Sequence, residues 1–420
     1  MRFSTGASTH LIAHIALAAV ASGSGNPQLG QSALDKVLRD ARDVLGGWED
    51  NNNNNSVSAT TNSYGHGHGY GYNKYARWMA GLPDSMPVAH LTIPGTHDAA
   101  TWNYTQTTQD GITGSMTGCD GSVTPNPARV YRCQRRSLLD ALEAGIRFFD
   151  LRFALDPLGT RLVFWHGPAL LSASAGLEDV LFGFYAWLDE HPEEMVLLSF
   201  QYERGTRVNA TSDAGVQWLL VDALASEVAG RYVDQGRGVL GTLGEVRGKI
   251  VLFRRFDLDM LPPEVEDTIP GLHMAPGKWI DNSRGFALVY NDSTTAADAG
   301  TAFIEDFYHP DNSTTVAENI DAKFTAVEAH LRQATTEQHP DSLFVTFTSG
   351  THVEVNPPVY PEVMALGSGG GLGDLGPPAV RGVNERLVGL LRELKGERLG
   401  VVVMDFFEEP EGLIDLLLDF

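Results

Sequence analysis

Cationic side chains are scarce in this 420-residue chain: 30 Lys and Arg stand against 53 Asp and Glu, a formal charge of −23 at pH 7. A surface that negative repels nucleic acid phosphates and anionic lipid over several ångströms, which argues against a polyanionic macromolecule as partner. Any single phosphate the chain handles must be met by a few local arginines. Nucleotide-binding fingerprints are missing too, since no G-x-G-x-x-G follows the first apolar strand and no Walker-type lysine loop occurs. Apart from the short stretch Leu11–Val20, no run is long and apolar enough to be a transmembrane helix. The final GLIDLLLDF carries two aspartates and reads as a terminal helix, not a lipid-anchor signal. Cysteine is scarcest of all, with Cys119 and Cys133 alone.

What is present is 43% hydrophobic composition, enough for a large core. Met1-Arg2, the apolar stretch and Ala19-Val20-Ala21 before Ser22-Gly23 have the pattern of a signal peptide over residues 1–21. Sequons at Asn54, Asn103, Asn209, Asn291 and Asn312 agree with export and glycosylation. The expected location is therefore secreted, extracellular. In an oxidising compartment Cys119 and Cys133 are expected to close one disulfide, worth about 3 kcal/mol for a loop near this size; the alternative is two unpaired buried thiols.

Residues 22–85 form an N-terminal segment. Leu34–Leu45 has helical spacing, whereas Asn51–Asn55 and Tyr64–Asn73 (YGHGHGYGYN) are low-complexity and read as a flexible linker. His66 and His68 could catch a metal, but no second ligand cluster accompanies them. Residues 86–420 alternate strand and helix patterns. Candidate strands are Val88–Pro94, Ile146–Phe153, Leu162–Trp165, Met195–Tyr202, Lys249–Phe256, Phe286–Tyr290, Leu343–Thr348 and Leu399–Phe406. Amphipathic stretches such as Ser137–Ala144, Leu177–Leu188, Val216–Val228, Val316–Leu331 and Val383–Leu394 lie between several of them. The pattern predicts an α/β fold, a distorted (β/α)8 TIM barrel in a single domain. The irregular connection Ala99–Arg135 marks where it is distorted. Ser368–Asp374 (SGGGLGD) reads as a flexible rim loop.

In a parallel barrel the carboxyl ends of the strands converge on one face. The first strand runs into LTIPGTHDAA and delivers His97 and Asp98; the second delivers Asp150 and Arg152. The third delivers His166, the fifth Arg254 or Arg255, and the last Asp405. Each has a bland alternative: a packed core histidine for His166, a barrel ion pair for Arg152, a loop cap for Asp405. Together they suit proton transfer around one phosphate, with two imidazoles as acid and base, a guanidinium on the phosphate oxygens and a carboxylate fixing a tautomer.

The segments LTIPGTHDAA, GIRFFDLRF, LVFWHGP, GKIVLFRRF and GVVVMDFF, in this order from about Pro87 onward, resemble the X-domain of phosphatidylinositol-specific phospholipase C, more its bacterial type than the animal signalling type. The resemblance implies His97 as general base on the inositol 2-hydroxyl and His166 as general acid toward the diacylglycerol oxygen. Arg152 would bind phosphate, Asp98 would assist Arg152 and the acid, and Asp405 would orient His97. It implies inositol 1,2-cyclic phosphate and diacylglycerol as products. Calcium-dependent relatives have acidic residues at both positions of the D-x-R pair, whereas Arg152 here would replace the cation, so no metal or other cofactor is expected. The implied partner is a phosphoinositide-type lipid met in transient membrane-surface contact, with Trp102, Tyr104 and Val355–Met364 as contact candidates, and the expected state is a monomer. In the substrate pocket Arg255 matches a family arginine, Gln201 stands where bacterial enzymes have lysine, and the family's Asp-x-Tyr pair is echoed by Asp321 and Phe324. Two other readings remain: a metal-dependent glycerophosphodiester phosphodiesterase or sphingomyelinase D-like barrel, and a secreted module that binds a lipid headgroup or glycan without turnover.

Overall fold

The computed structural model describes residues 27–48, 75–116, 126–204, 206, 210–292, 300–369 and 380–419. The expected signal peptide, the low-complexity stretches, Cys119, Asn54, Asn209 and most of the Ser368–Asp374 loop lie outside the described residues.

Thirteen strands can be numbered among the described residues: β1 Ile93–Thr96, β2 Phe148–Leu155, β3 Leu162–His166, β4 Ala169–Leu170, β5 Val196–Tyr202, β6 Ile250–Arg255, β7 Leu272–His273, β8 Phe286–Val289, β9 Thr301–Glu305, β10 Leu343–Phe347, β11 Gly367–Ser368, β12 Val380–Arg381 and β13 Val401–Met404. The main sheet runs β7-β6-β5-β2-β1-β13-β10-β9-β8, and every neighbouring pair from β7 to β9 is parallel. β8 closes the far edge antiparallel to β9. Eight parallel strands thus follow one another in chain order, the α/β barrel expected, but with no pairing between β7 and β8 among the described residues. β11 and β12 form a separate two-stranded antiparallel ribbon.

The strand count matches the sequence expectation while its membership differs. Leu162–Trp165 is no barrel strand: β3 folds back antiparallel on β2. The connecting residues 156–161 are too few for the crossover that parallel neighbours need. Asp156 shapes that turn, its carboxylate accepting the Thr160 N–H at 2.6 Å and the Thr160 hydroxyl at 2.9 Å. β8 is likewise antiparallel, and the vacated places are taken by β7 and β9. The first strand is also shorter than expected, because Val88–His90 is a 3-10 turn closed by His90 N–H on the Pro87 carbonyl.

Side-chain alternation divides the core into two layers. Phe149, Leu151, Phe153, Leu198, Phe200, Leu252 and Val402 face the surrounding helices. Ile93, Phe148, Leu197, Val251, Phe253, Ile304, Val345, Phe347, Val401 and Val403 fill the barrel interior. The interior is narrow at β1, where a Cβ on Gly95 would stand 3.0 Å from Phe148 Cβ, tighter than ordinary van der Waals contact.

The N-terminal segment is more than a linker. Helix Pro27–Gly46 lays Leu34, Leu38 and Leu45 into the same apolar layer as helix Leu177–Glu190. Gly183 permits the approach, since a Cβ there would come within 2.6 Å of Leu45 Cγ. No helix among the described residues is long and apolar enough to cross a membrane.

Candidate active site

Continuing the alternation past the apolar interior places polar residues one step higher on each strand. Ile93 and Gly95 lead to His97, Phe148 to Asp150 and Arg152, Leu197 to Ser199 and Gln201, and Val251 and Phe253 to Arg255. Ile304 leads to Asp306 and Val403 to Asp405. Arg254 has the opposite parity and pairs outside the barrel with Glu266 at 2.7 Å, which settles the choice between the two arginines. Arg152, Gln201 and Arg255 stand in one row across β2, β5 and β6.

His97 is held from both ring nitrogens. Its Nδ1 lies 2.9 Å from Asp405 Oδ1, and its Nε2 lies 2.7 Å from Arg152 Nη2. A guanidinium only donates, so Nε2 must carry the lone pair and Nδ1–H must donate to Asp405. Burial first, then Arg152 and His166, hold the pKa of His97 well below the ordinary histidine value. The ring is therefore neutral, with its basic nitrogen turned toward the guanidinium. Burial, with the like charge of Asp98, pushes the Asp405 carboxyl up.

His166 stands with its ring centroid 6.3 Å from that of His97, the rings perpendicular. Its Nδ1 lies 2.8 Å from the Tyr131 carbonyl oxygen and 2.9 Å from Asp98 Oδ2. Two oxygen acceptors at one nitrogen place the proton on Nδ1 and leave Nε2 for exchange. Burial opposes charge on this ring, yet the Asp98 carboxylate outweighs it and raises the pKa above the usual value. Asp98 reaches this position because its backbone turns into the left-handed region, φ 41°, directly after β1. Its backbone N–H then donates to Asp150 Oδ2 at 3.3 Å, and Arg152 Nε is 3.8 Å from Asp98 Oδ2 and 3.3 Å from Asp150 Oδ2. These carboxylates, against the desolvation of burial, hold the Arg152 guanidinium firmly protonated.

Arg255 donates to Asp150 Oδ1 at 3.3 Å and lies 3.8 Å over the Trp279 ring. Gln201 Oε1 is buried and has no hydrogen-bond partner, so an acceptor is left open in the row between the arginines. Asp321 does not join the cluster. It sits on helix Val316–Ala334, exposed and paired with Arg386.

Sequence reasoning passed over several residues that the fold brings here. Asp306 and Tyr308, an Asp-x-Tyr pair directly after β9, stand where Asp321 and Phe324 were expected to serve: Asp306 accepts from Trp279 Nε1 at 2.7 Å and feels the Arg255 charge, while Tyr308 donates to Asp281 at 3.2 Å. Glu203, two residues beyond Gln201, accepts the Gly167 N–H at 2.8 Å beside His166 and Arg152. Alternation along 197–203 was the available signal. Gln134 donates to the carbonyls of His97 and Met404, each at 2.8 Å, and so ties β1 to β13.

Cys119, the expected disulfide partner of Cys133, lies outside the described residues, and Cys133 is a free thiol buried beside both imidazoles. Its backbone N–H donates to Thr101 Oγ1 at 3.0 Å, and burial pushes its pKa well above the ordinary value. Tyr104 is also internal, with 2% exposure, and Trp102 is half-buried with its ring 5.5 Å from that of Trp48. Val359 and Met364 are packed into a small core with Val316, Ile320 and Val383. Most of the expected membrane-contact residues thus have partners inside the fold.

An open α/β barrel with an imidazole pair, a guanidinium and several carboxylates on its carboxyl-end face is the class that fold and site define. Within it, homologues of this chain include proteins named 1-phosphatidylinositol phosphodiesterase and PI-PLC X domain-containing protein. The 1-phosphatidylinositol phosphodiesterase of Listeria monocytogenes is 32% identical over 176 residues, 42% of this chain and 47% of that protein. PI-PLC X domain-containing protein 3 of Danio rerio is 27% identical over 264 residues, 59% of this chain and 78% of that protein. The chain thus spans about half the length of the Listeria relative. Among solved structures, a mutant of the phosphatidylinositol-specific phospholipase C from Staphylococcus aureus is similar over 83% of this chain and 99% of its own, with a TM-score of 0.59 and 19% identity. No family model matches the chain.

Proposed function

We propose that this chain is a secreted phosphodiesterase that cleaves phosphatidylinositol-type lipids by intramolecular transfer. The observation that carries the reading is the pair of imidazoles 6.3 Å apart, neutral His97 on one side and His166 with raised pKa on the other, joined through Arg152 and Asp98. The homologues' names supply the substrate class.

In this reaction His97 Nε2 takes the proton of the inositol 2-hydroxyl, and that oxygen attacks the phosphorus. Arg152 leaves His97 Nε2 for the non-bridging oxygens as charge grows on them. The bond to the diacylglycerol oxygen breaks, and protonated His166 delivers its Nε2 proton to that oxygen. The products are diacylglycerol and inositol 1,2-cyclic phosphate. Nucleophile and phosphorus belong to one molecule, so the step gains the effective molarity of an intramolecular attack. Asp405 keeps His97 in the reactive tautomer, and Asp98 favours the charged form of His166. Gln201 offers the sugar a neutral acceptor where a lysine would offer a cation, so the headgroup preference is set by Arg255, Asp306 and Gln201 together.

The test is incubation of the purified protein with phosphatidylinositol vesicles in excess chelator, followed by phosphorus NMR. Cyclic inositol phosphate is the expected first product. No product from phosphatidylinositol or its glycosylated derivatives would leave a binding module instead, and turnover that needs added metal would assign the chain to the metal-dependent barrels.

A further inference from the structure

On the same rim, the loops after β9 and β10 bring together His309, His352 and Glu354, which the proposed reaction does not use. One ligand atom from each lies within 4.8 Å of the other two. The two imidazole centroids are 4.3 Å apart.

Hydrogen bonds on the far side of each ring fix the nitrogen it offers. Asn319 Nδ2 donates to the Thr315 carbonyl at 2.8 Å, which leaves Asn319 Oδ1 as acceptor for His352 Nδ1, also at 2.8 Å. His352 Nε2 therefore keeps its lone pair. His309 Nδ1 lies 2.6 Å from Asp311 Oδ1, and its Nε2 lies 3.3 Å from Glu354 Oε2. Each ring is thus anchored through Nδ1 to an oxygen acceptor, the support that metal-binding histidines ordinarily have, and each has Nε2 as its ligand atom. Without a metal, a proton on His309 Nε2 fills the gap to Glu354. Binding of a divalent cation would displace that proton, one carboxylate and two neutral imidazoles being the donor set that suits zinc.

We propose that His309, His352 and Glu354 form a zinc site, completed by water, that ties the loop after β9 to the loop after β10. The two loops already touch through the Thr351 N–H on the Tyr308 carbonyl at 2.8 Å. The metal would hold the segment that carries Asp306 and Tyr308, and it takes no part in proton transfer at His97 and His166. The inference does not depend on the proposed reaction, because its test reads metal and not turnover.

The experiment uses the full chain, stripped with chelator and titrated with zinc by calorimetry, then with cobalt to read its visible spectrum. His66→Ala and His68→Ala are introduced throughout to remove a competing pair. The parent should bind one equivalent, gain melting temperature on binding, and show a cobalt spectrum without thiolate charge transfer, which excludes Cys133 as ligand. Glu354→Gln, at a 67% exposed side chain, and His352→Ala should each lose that equivalent. Asn319→Ala should weaken binding about 10–100-fold through loss of the ring anchor. The proposal is overturned if the stripped parent binds no zinc, or if Glu354→Gln binds it with unchanged affinity.

Discussion

His97 and His166 stand with ring centroids 6.3 Å apart, yet their surroundings push them in opposite directions. Burial and the Arg152 charge lower the first, while Asp98 raises the second against its burial. A base must be neutral and an acid protonated, so the productive form is the dominant one between the two pKa values. A bell-shaped kcat/KM profile is expected, with its acidic limb below and its basic limb above the ordinary histidine pKa. Asp98→Asn removes the charge that raises His166, so the basic limb should move to lower pH while the His97 limb moves less. A pH series on both proteins checks this, and an unmoved basic limb would assign it to another group. His97→Ala and His166→Ala should each lose about 10²–10⁴-fold in turnover with circular dichroism unchanged, the usual scale of general acid–base catalysis. His97 was legible because it falls at a strand end in a rule of two, which also separates Arg255 from Arg254, whereas His166 ends β3, a strand outside the parallel barrel. Asp306 obeys the same rule and was missed only because β9 was not identified. Asp98 breaks the rule, since a left-handed backbone turns an outward position inward, and no alternation pattern carries that information.

The pairing of β9 with helix Val316–Ala334 fixes the rim beside Asp306. Lys323 Nζ lies 2.9 Å from Glu305 Oε1 and 3.0 Å from Oε2, with both side chains fully buried. Burial raises the Glu305 pKa to about 7 even with lysine beside it. A carboxyl raised in the folded state weakens stability as pH climbs from its unfolded value through its folded one. Lys323→Met strands the carboxylate, at a cost of about 3–5 kcal/mol for a broken buried pair near neutral pH. The loss should shrink toward pH 5, where Glu305 is protonated and needs no partner. Denaturant melts at the two pH values measure the difference, and an equal loss at both would mean that packing, not charge, is at stake. The parallel strands with long apolar runs were readable, as were the amphipathic helices. β3 and β8 looked the same in periodicity, because alternation reports burial and not direction. β7, with two residues, is too short for any pattern to register.

For the molecule as a whole, the charge of −23 makes electrostatic docking to an anionic lipid surface unfavourable, so the proposed membrane contact would rest on apolar tips. Leu158, Met260 and Ile280, 83%, 59% and 54% exposed, lie in loops that follow the carboxyl ends of β2, β6 and β7. Replacing all three by serine should weaken sedimentation with neutral vesicles while turnover of a soluble, short-chain substrate is kept; unchanged sedimentation would place the contact elsewhere. The helical layer around Leu177–Glu190 depends on the N-terminal helix. Helical spacing over Leu34–Leu45 was readable in the sequence, and Leu38, Leu45 and Trp48 are buried in the main core. Gly183→Val would drive a side chain into Leu45 and the Ala41 carbonyl, where even a Cβ comes within 2.6 and 2.9 Å. Overpacking of this kind costs about 1–3 kcal/mol and is relieved here by lifting the helix off the barrel. Limited proteolysis should then cut within residues 27–48 while the barrel stays resistant, and indole fluorescence from Trp48 should shift to the red. The imidazole pair should keep its pH profile. Equal protection of the helix in both proteins would show that the contact yields locally, and that the N-terminal helix is fixed by more than its fit at Gly183.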